Sequence, residues 1–137
     1  MIQRFSFGHP IPTGSVEQVL PLCGDSVPFL TPAAEGWTYR MREDCVVYGL
    51  GEMPRGLNKR GWHYIANNTD ESHHTEDKLS YYGAHNFLLI RNGEDCFGLF
   101  VDFPGKVHYD IGYTRHDTLC FHTEEPDYER TSRMPSA

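Results

Sequence analysis

Two apolar runs on either side of Asn92-Gly93 constrain this chain more than any other feature. Phe87-Leu-Leu-Ile-Arg91 and Cys96-Phe-Gly-Leu-Phe-Val-Asp102 are rich in strand-forming residues. An Asn-Gly pair between such runs is a strong hairpin signal, because both residues tolerate positive φ. A lone hairpin is marginal in water and needs further strands to pack against. The chain supplies them. Trp37–Met41 alternates apolar and polar residues as a half-buried strand does. Val46-Val-Tyr48 is a β-branched and aromatic run interrupted by Gly49 and Gly51, and Trp62–Ile65, Lys106–Tyr109 and Thr118–His122 read as further short strands. Ile2–Phe7 alternates well enough for a first strand, and only Ser15–Leu20 has room for a short helix within a loop marked by Pro10, Pro12, Pro21, Pro28 and Pro32. About seven short strands, Gly and Pro between them and almost no helix predict an all-β antiparallel sandwich.

Size and charge narrow the function classes. The 137 residues suit one domain, and a chain of that length buries roughly two-thirds of its unfolded surface. Twelve Lys and Arg against 19 Asp and Glu leave a net charge of −7. That balance argues against gripping a phosphate backbone, so no nucleic-acid partner is expected. No apolar run approaches the ~20 residues of a membrane span, and Met1–Gly8 lacks the basic start and apolar stretch of a signal peptide. Cys23, Cys45, Cys96 and Cys120 are scattered without a Cys-x-x-Cys pair. They read as reduced thiols of a cytoplasmic protein rather than zinc ligands.

Four constellations invite a chemical reading. Tyr48-Gly-Leu-Gly-Glu52 contains Gly-x-Gly, but Pro54 stands where a dinucleotide loop needs its third glycine and no amphipathic helix follows, so a bend or bulge in a strand is expected. His73-His-Thr-Glu-Asp77 gathers ligand types, yet adjacent residues on an extended segment point apart, so no metal is expected. Asp70, Glu71, Glu76 and Asp77 lie on a polar stretch, 67–80, without helical or strand period. Such a long loop in a small domain is usually functional or disordered. Its acids read as a solvated surface rather than as the paired carboxylates of a glycosidase. There is no Gly-x-Ser-x-Gly elbow. Trp37, Trp62, Tyr64, Tyr81 and Tyr82 suit sugar faces, although in a sandwich half or more of such rings belong to the core.

Taken in order, several segments resemble one family. Tyr48-Gly-Leu-Gly-Glu52, Gly56-Leu-Asn-Lys-Arg-Gly61, Asn68-Thr-Asp70, His74-Thr-Glu-Asp77, Tyr82-Gly-Ala-His-Asn-Phe87, Phe97-Gly-Leu-Phe-Val-Asp102 and Tyr109-Asp-Ile-Gly112 are similar to the N-terminal region of glycoside hydrolase family 31. The likeness is greatest to bacterial α-glucosidases of the Firmicutes type and covers roughly residues 1–120. It implies a galactose-mutarotase-like β-sandwich of the supersandwich type over 1–123, incomplete at its C-terminal end, and a divergent, disordered tail over 124–137. In that family the sandwich precedes a (β/α)₈ barrel that carries the two catalytic aspartates of a retaining mechanism. Neither aspartate motif occurs in this chain, so the domain is expected to be inactive alone and to need no cofactor.

The resemblance also assigns a site. The sandwich sends a loop over the barrel's sugar pocket, and 67–77 matches that loop. Asp70 is placed nearest an α-glucoside or other carbohydrate, with Asn68, Thr69 and His74 beside it. Trp62, with Tyr64, would serve the alternative of a stand-alone carbohydrate-binding module; a remnant without a ligand is the third reading. The ending departs from the family pattern, as a truncated or frame-shifted product would. Missing strands would leave a sheet edge open to a second copy, so a homo-oligomer is expected.

Overall fold

The computed structural model describes residues 30–33, 36–70 and 72–124. Eight strands occur among them: β1 Thr31–Ala33, β2 Gly36–Arg40, β3 Val46–Gly51, β4 Trp62–Ala66, β5 Ala84–Asn92, β6 Asp95–Phe100, β7 Val107–Ile111 and β8 Thr118–Thr123. They form a five-stranded sheet in the order β1-β2-β8-β7-β4 and a three-stranded sheet in the order β3-β5-β6. Every pairing is antiparallel, and no helix lies among the described residues. The fold is the expected all-β sandwich. The expectations for Ile2–Phe7, Ser15–Leu20, Cys23, Glu71 and residues 125–137 lie outside the described residues.

Alternation along the strands builds one core between the sheets. Val47, Leu88 and Ile90 of the smaller sheet meet Tyr39, Tyr64, Val107, Tyr109, Ile111, Leu119 and Phe121 of the larger one. Each fully buried aliphatic side chain stabilises the fold by about 1.5–3 kcal/mol through removal from water. Tyr39 and Phe97 cross edge to face, with ring centroids 5.3 Å apart.

The hairpin forms one residue out of the expected place. Asn92 pairs with Asp95, so the loop is Gly93-Glu94 and not Asn92-Gly93. Gly93 has φ +67 and Glu94 is not left-handed, the pattern of a type II′ turn. Asn92 instead ends β5 and is only 8% exposed. Its Nδ2 donates to Tyr39 Oη at 2.7 Å and to Arg40 O at 3.3 Å, while its Oδ1 accepts from Arg42 N at 2.7 Å. A buried amide must find partners, and these lie on β2 and the turn after it. One side chain therefore ties the two sheets together.

Strand β3 runs through the glycines that seemed to interrupt it. Its register breaks between Gly49 and Gly51, so the bulge expected there is present. Gly49, Leu50 and Gly51 have φ of 126°, 66° and 77°. A Cβ on Gly49 would lie 2.2 Å from Phe87 O, so only glycine fits. Leu50 is held in its strained conformation by a side chain that is completely buried.

Two sheet edges are covered locally. Val47 N on β3 donates to Asn58 Oδ1 at 3.1 Å, and Val47 O accepts from Lys59 N at 2.7 Å. On β4, Ile65 N donates to Leu79 O at 3.0 Å. The loop 67–80 forms no strand among its described residues, yet it is laid along the larger sheet.

Candidate functional site

The β3 bulge, the turn that follows it and the 67–80 loop enclose an open cleft of about 720 Å³. Tyr48, Glu52, Arg55, Lys59, His74, Tyr81 and His85 supply its polar and aromatic lining. The turn is organised from within by Lys59, which is 5% exposed. Its ammonium donates to the carbonyls of Gly56 at 2.9 Å, Pro54 at 3.2 Å and Met53 at 3.5 Å. Burial holds the Lys59 pKa below the usual lysine range, with Glu76 acting in the opposite sense. An unpaired buried ammonium survives because these carbonyl dipoles replace its water.

Arg55 joins the turn to the loop. It is non-glycine with φ 70, a costly conformation that persists only where surroundings enforce it. Its N donates to Glu76 Oε2 at 2.7 Å, its Nη1 to Lys78 O at 3.1 Å, and its guanidinium lies 4.0 Å from the Trp62 ring centroid. Glu52 closes the far side: its N donates to Gly83 O at 2.8 Å, and its Oε2 accepts from Gly83 N at 3.1 Å.

The loop itself is fastened at several points. Ala84 N donates to Asn68 Oδ1 at 2.7 Å, Thr69 Oγ1 to Tyr81 O at 3.5 Å, and Ser80 Oγ to Asn67 O at 2.9 Å. His74 stacks on Tyr81 with centroids 4.6 Å apart and planes 17° apart, and Tyr81 Oη donates to Thr75 O at 2.8 Å. The Thr75 hydroxyl donates to Asp77 and holds its carboxyl below the usual range.

The sequence-derived residues separate into groups. His74 lines the cleft. Asn68 and Thr69 spend their side chains on the anchors just described, and Asp70 is exposed. Trp62 contacts Arg55 and, edge-on at 4.9 Å, Tyr113. Its Nε1 is buried and has no hydrogen-bond partner among the described residues. Tyr64, the other ring of the module alternative, is 2% exposed and belongs to the core. Among the described residues no three His, Cys, Asp or Glu side chains are grouped to hold a metal ion. Arg55, Lys59 and Glu52 were not legible as site residues. Glu52 and Lys59 fall within segments that resemble the family, and Arg55 is marked only by its place between Pro54 and Gly56.

The described strands define an all-β antiparallel sandwich domain with a long loop laid along the edge of its larger sheet, and sequence comparison gives its family. The chain belongs to the glycosyl hydrolase 31 N-terminal galactose mutarotase-like domain family, whose sequence model matches residues 25–110. Comparison with curated proteins gave no match. Among solved structures the fold is similar to the cycloalternan-degrading enzyme of Trueperella pyogenes, at 21% identity and a TM-score of 0.57 over 62% of this chain and 12% of that one. The same enzyme in complex with isomaltose aligns at 19% identity and a TM-score of 0.58, over 66% and 13%. A family 31 dextranase of Flavobacterium johnsoniae in complex with glucose aligns at 24% identity and a TM-score of 0.55, over 68% and 11%. The chain thus spans about an eighth of each of these proteins.

Proposed function

We propose that this domain shapes the sugar pocket of an α-glucosidase-like family 31 hydrolase in the cytoplasm. A catalytic barrel of the parent enzyme would cleave terminal α-glucosidic bonds, and the domain alone would be inactive. One observation carries the reading: loop 67–80 is fastened at both ends, yet Asp70 is exposed and forms no hydrogen bond among the described residues. A carboxylate presented in this way accepts hydrogen bonds from sugar hydroxyls, and charged acceptors make the stronger bonds. Asn68 and Thr69 position it, His74 borders the approach, and Trp62 acts through Arg55. The isomaltose and glucose complexes named for the structural neighbours support glucose-containing ligands. The module alternative has less support, because Tyr64 is buried and Arg55 lies over Trp62.

The test is incubation of the chain with an aryl α-glucoside, maltose and isomaltose, followed by amide chemical shifts. The expected result is no turnover, with shifts at residues 68–70 and 74 only at about 10 mM isomaltose or above, as a weak half-site gives. Asp70→Asn should abolish them. Turnover would overturn the inactive reading. Saturable binding centred on Trp62 would replace the pocket role with the module.

A further inference from the structure

Asn92-Gly93 is the one Asn-Gly pair in the chain, and such a pair carries a reaction of its own. The Gly93 nitrogen can attack Asn92 Cγ, because glycine has no Cβ to bar the approach. The new N–Cγ bond closes a five-membered imide. The Cγ–Nδ2 bond breaks, and Nδ2 leaves as ammonia with the proton from Gly93 N. Water then opens the imide at either carbonyl. Opening at Cγ gives aspartate. Opening at the main-chain carbonyl gives isoaspartate, with the β-carbon inserted in the backbone. Nothing but water is consumed.

An exposed hairpin tip leaves this reaction free to run, but the register of β5 and β6 takes Asn92 out of the tip. Asn92 pairs with Asp95 as the last residue of β5 and is 8% exposed. Both ends of its amide are held by β2 and the turn after it. Nδ2, the leaving group, donates to Tyr39 Oη at 2.7 Å and to Arg40 O at 3.3 Å, and Oδ1 accepts from Arg42 N at 2.7 Å. Attack needs the amide to swing from these partners toward Gly93, and the peptide between the two residues to rotate out of the ladder. Gly93 is covered as well: a Cβ there would meet Arg42 Nε at 3.2 Å. The groups that silence the site lie across the sandwich, so Asn92 reacts only when the two sheets part at this end.

We infer that Asn92-Gly93 is a self-modification site gated by the contact between the two sheets, and that its reaction makes their opening permanent. An aspartate at this position has no N–H for Arg40 O and turns a negative charge toward that carbonyl in a nearly buried place, which is costly. Isoaspartate lengthens the backbone at the residue that pairs with Asp95 and so moves the register of the hairpin. The chain thereby records its own unfolding in one covalent change. The chemistry is independent of the sugar reading.

The test holds the full chain in mildly alkaline buffer, with and without guanidinium chloride, and follows conversion by peptide mapping that separates Asn, Asp and isoaspartate. Asn58, Asn67, Asn68 and Asn86, each followed by a residue larger than glycine, serve as internal references. In denaturant Asn92 should convert fastest of the five, with isoaspartate among the products. In the folded chain its conversion should be slower by at least about a hundredfold, because only the opened fraction reacts. Tyr39→Phe removes one partner of Nδ2 and should speed conversion without denaturant about fivefold, the factor for one hydrogen bond, while the rate in denaturant stays the same. Should that variant fail to fold, the comparison on the unaltered chain decides the gate. Asn92→Asp, which installs one product directly, should lower the denaturant midpoint. Equal rates with and without denaturant, no excess conversion of Asn92 over the references in denaturant, or a folded-state rate unmoved by Tyr39→Phe would overturn the gated site. An unchanged midpoint in Asn92→Asp would overturn the permanent opening.

Discussion

Replacing Asn92 with alanine removes an amide that makes three hydrogen bonds between the sheets. Two are short: Nδ2 to Tyr39 Oη and Arg42 N to Oδ1, both 2.7 Å. The third, to Arg40 O, is 3.3 Å and weaker. Each good bond is worth about 1 kcal/mol net, and a partner left buried and unpaired adds to the loss. Truncation of a nearly buried side chain also leaves a small cavity. The sum is about 3 kcal/mol. With an unfolding entropy of about 2.1 cal/mol/K per residue, the melting temperature should fall by about 10 °C. Urea unfolding at constant m-value measures the loss. Tyr39→Phe should cost about 1 kcal/mol and, in a double-mutant cycle, couple to Asn92→Ala. The glycine variant separates this role from that of a turn residue. Asn92→Gly would be neutral in a left-handed turn position, but at the end of β5 it should cost at least as much as Asn92→Ala. A loss below about 1 kcal/mol in either variant, or no coupling to Tyr39, would refute the cross-sheet tie.

Two further outcomes are expected. Burial raises the pKa values of Tyr39, Tyr64 and Tyr109 above the ordinary tyrosine value. Their contribution is therefore complete below the unfolded pKa near 10 and is lost as pH rises above it, by up to about 1.4 kcal/mol per pH unit for each group. The depressed Lys59 works in the opposite sense up to its unfolded value near 10.4. The urea midpoint should thus fall clearly only above about pH 10.5, and a flat profile to pH 11.5 would count against the buried phenols. Arg55→Ala removes the guanidinium from Trp62 and from Lys78 O, so it should shift Trp62 emission, speed amide exchange over residues 74–81 and cost about 1–2 kcal/mol. Unchanged emission and exchange would show that Arg55 does not fasten the loop.

The class of fold was readable in local pattern. Period-2 alternation in Trp37–Met41 and Phe87–Arg91 needs no knowledge of partners, because it reports which side of a strand meets water. The missing third glycine at Pro54 likewise turned Gly49-Leu-Gly51 from a nucleotide loop into a bulge, a local matter of backbone sterics. Which residues close the site was not local. Asn92 looked like a turn residue because Asn-Gly suits positive φ, but the register placed it in a strand facing Tyr39, some fifty positions away in sequence. Lys59 and Arg55 stand in no alternating or helical pattern that would mark them as buried or bridging. Only the path of the 52–59 turn brings three carbonyls to one and Trp62, Glu76 and Lys78 to the other. Trp62 and Tyr64, alike in the sequence as candidate sugar platforms, were separated by packing: Tyr64 is sealed in the core, while Trp62 supports Arg55. Alternation depends on neighbours two residues apart and is written in the chain itself. Buried polar contacts depend on where distant segments meet, so only the tertiary structure decides them.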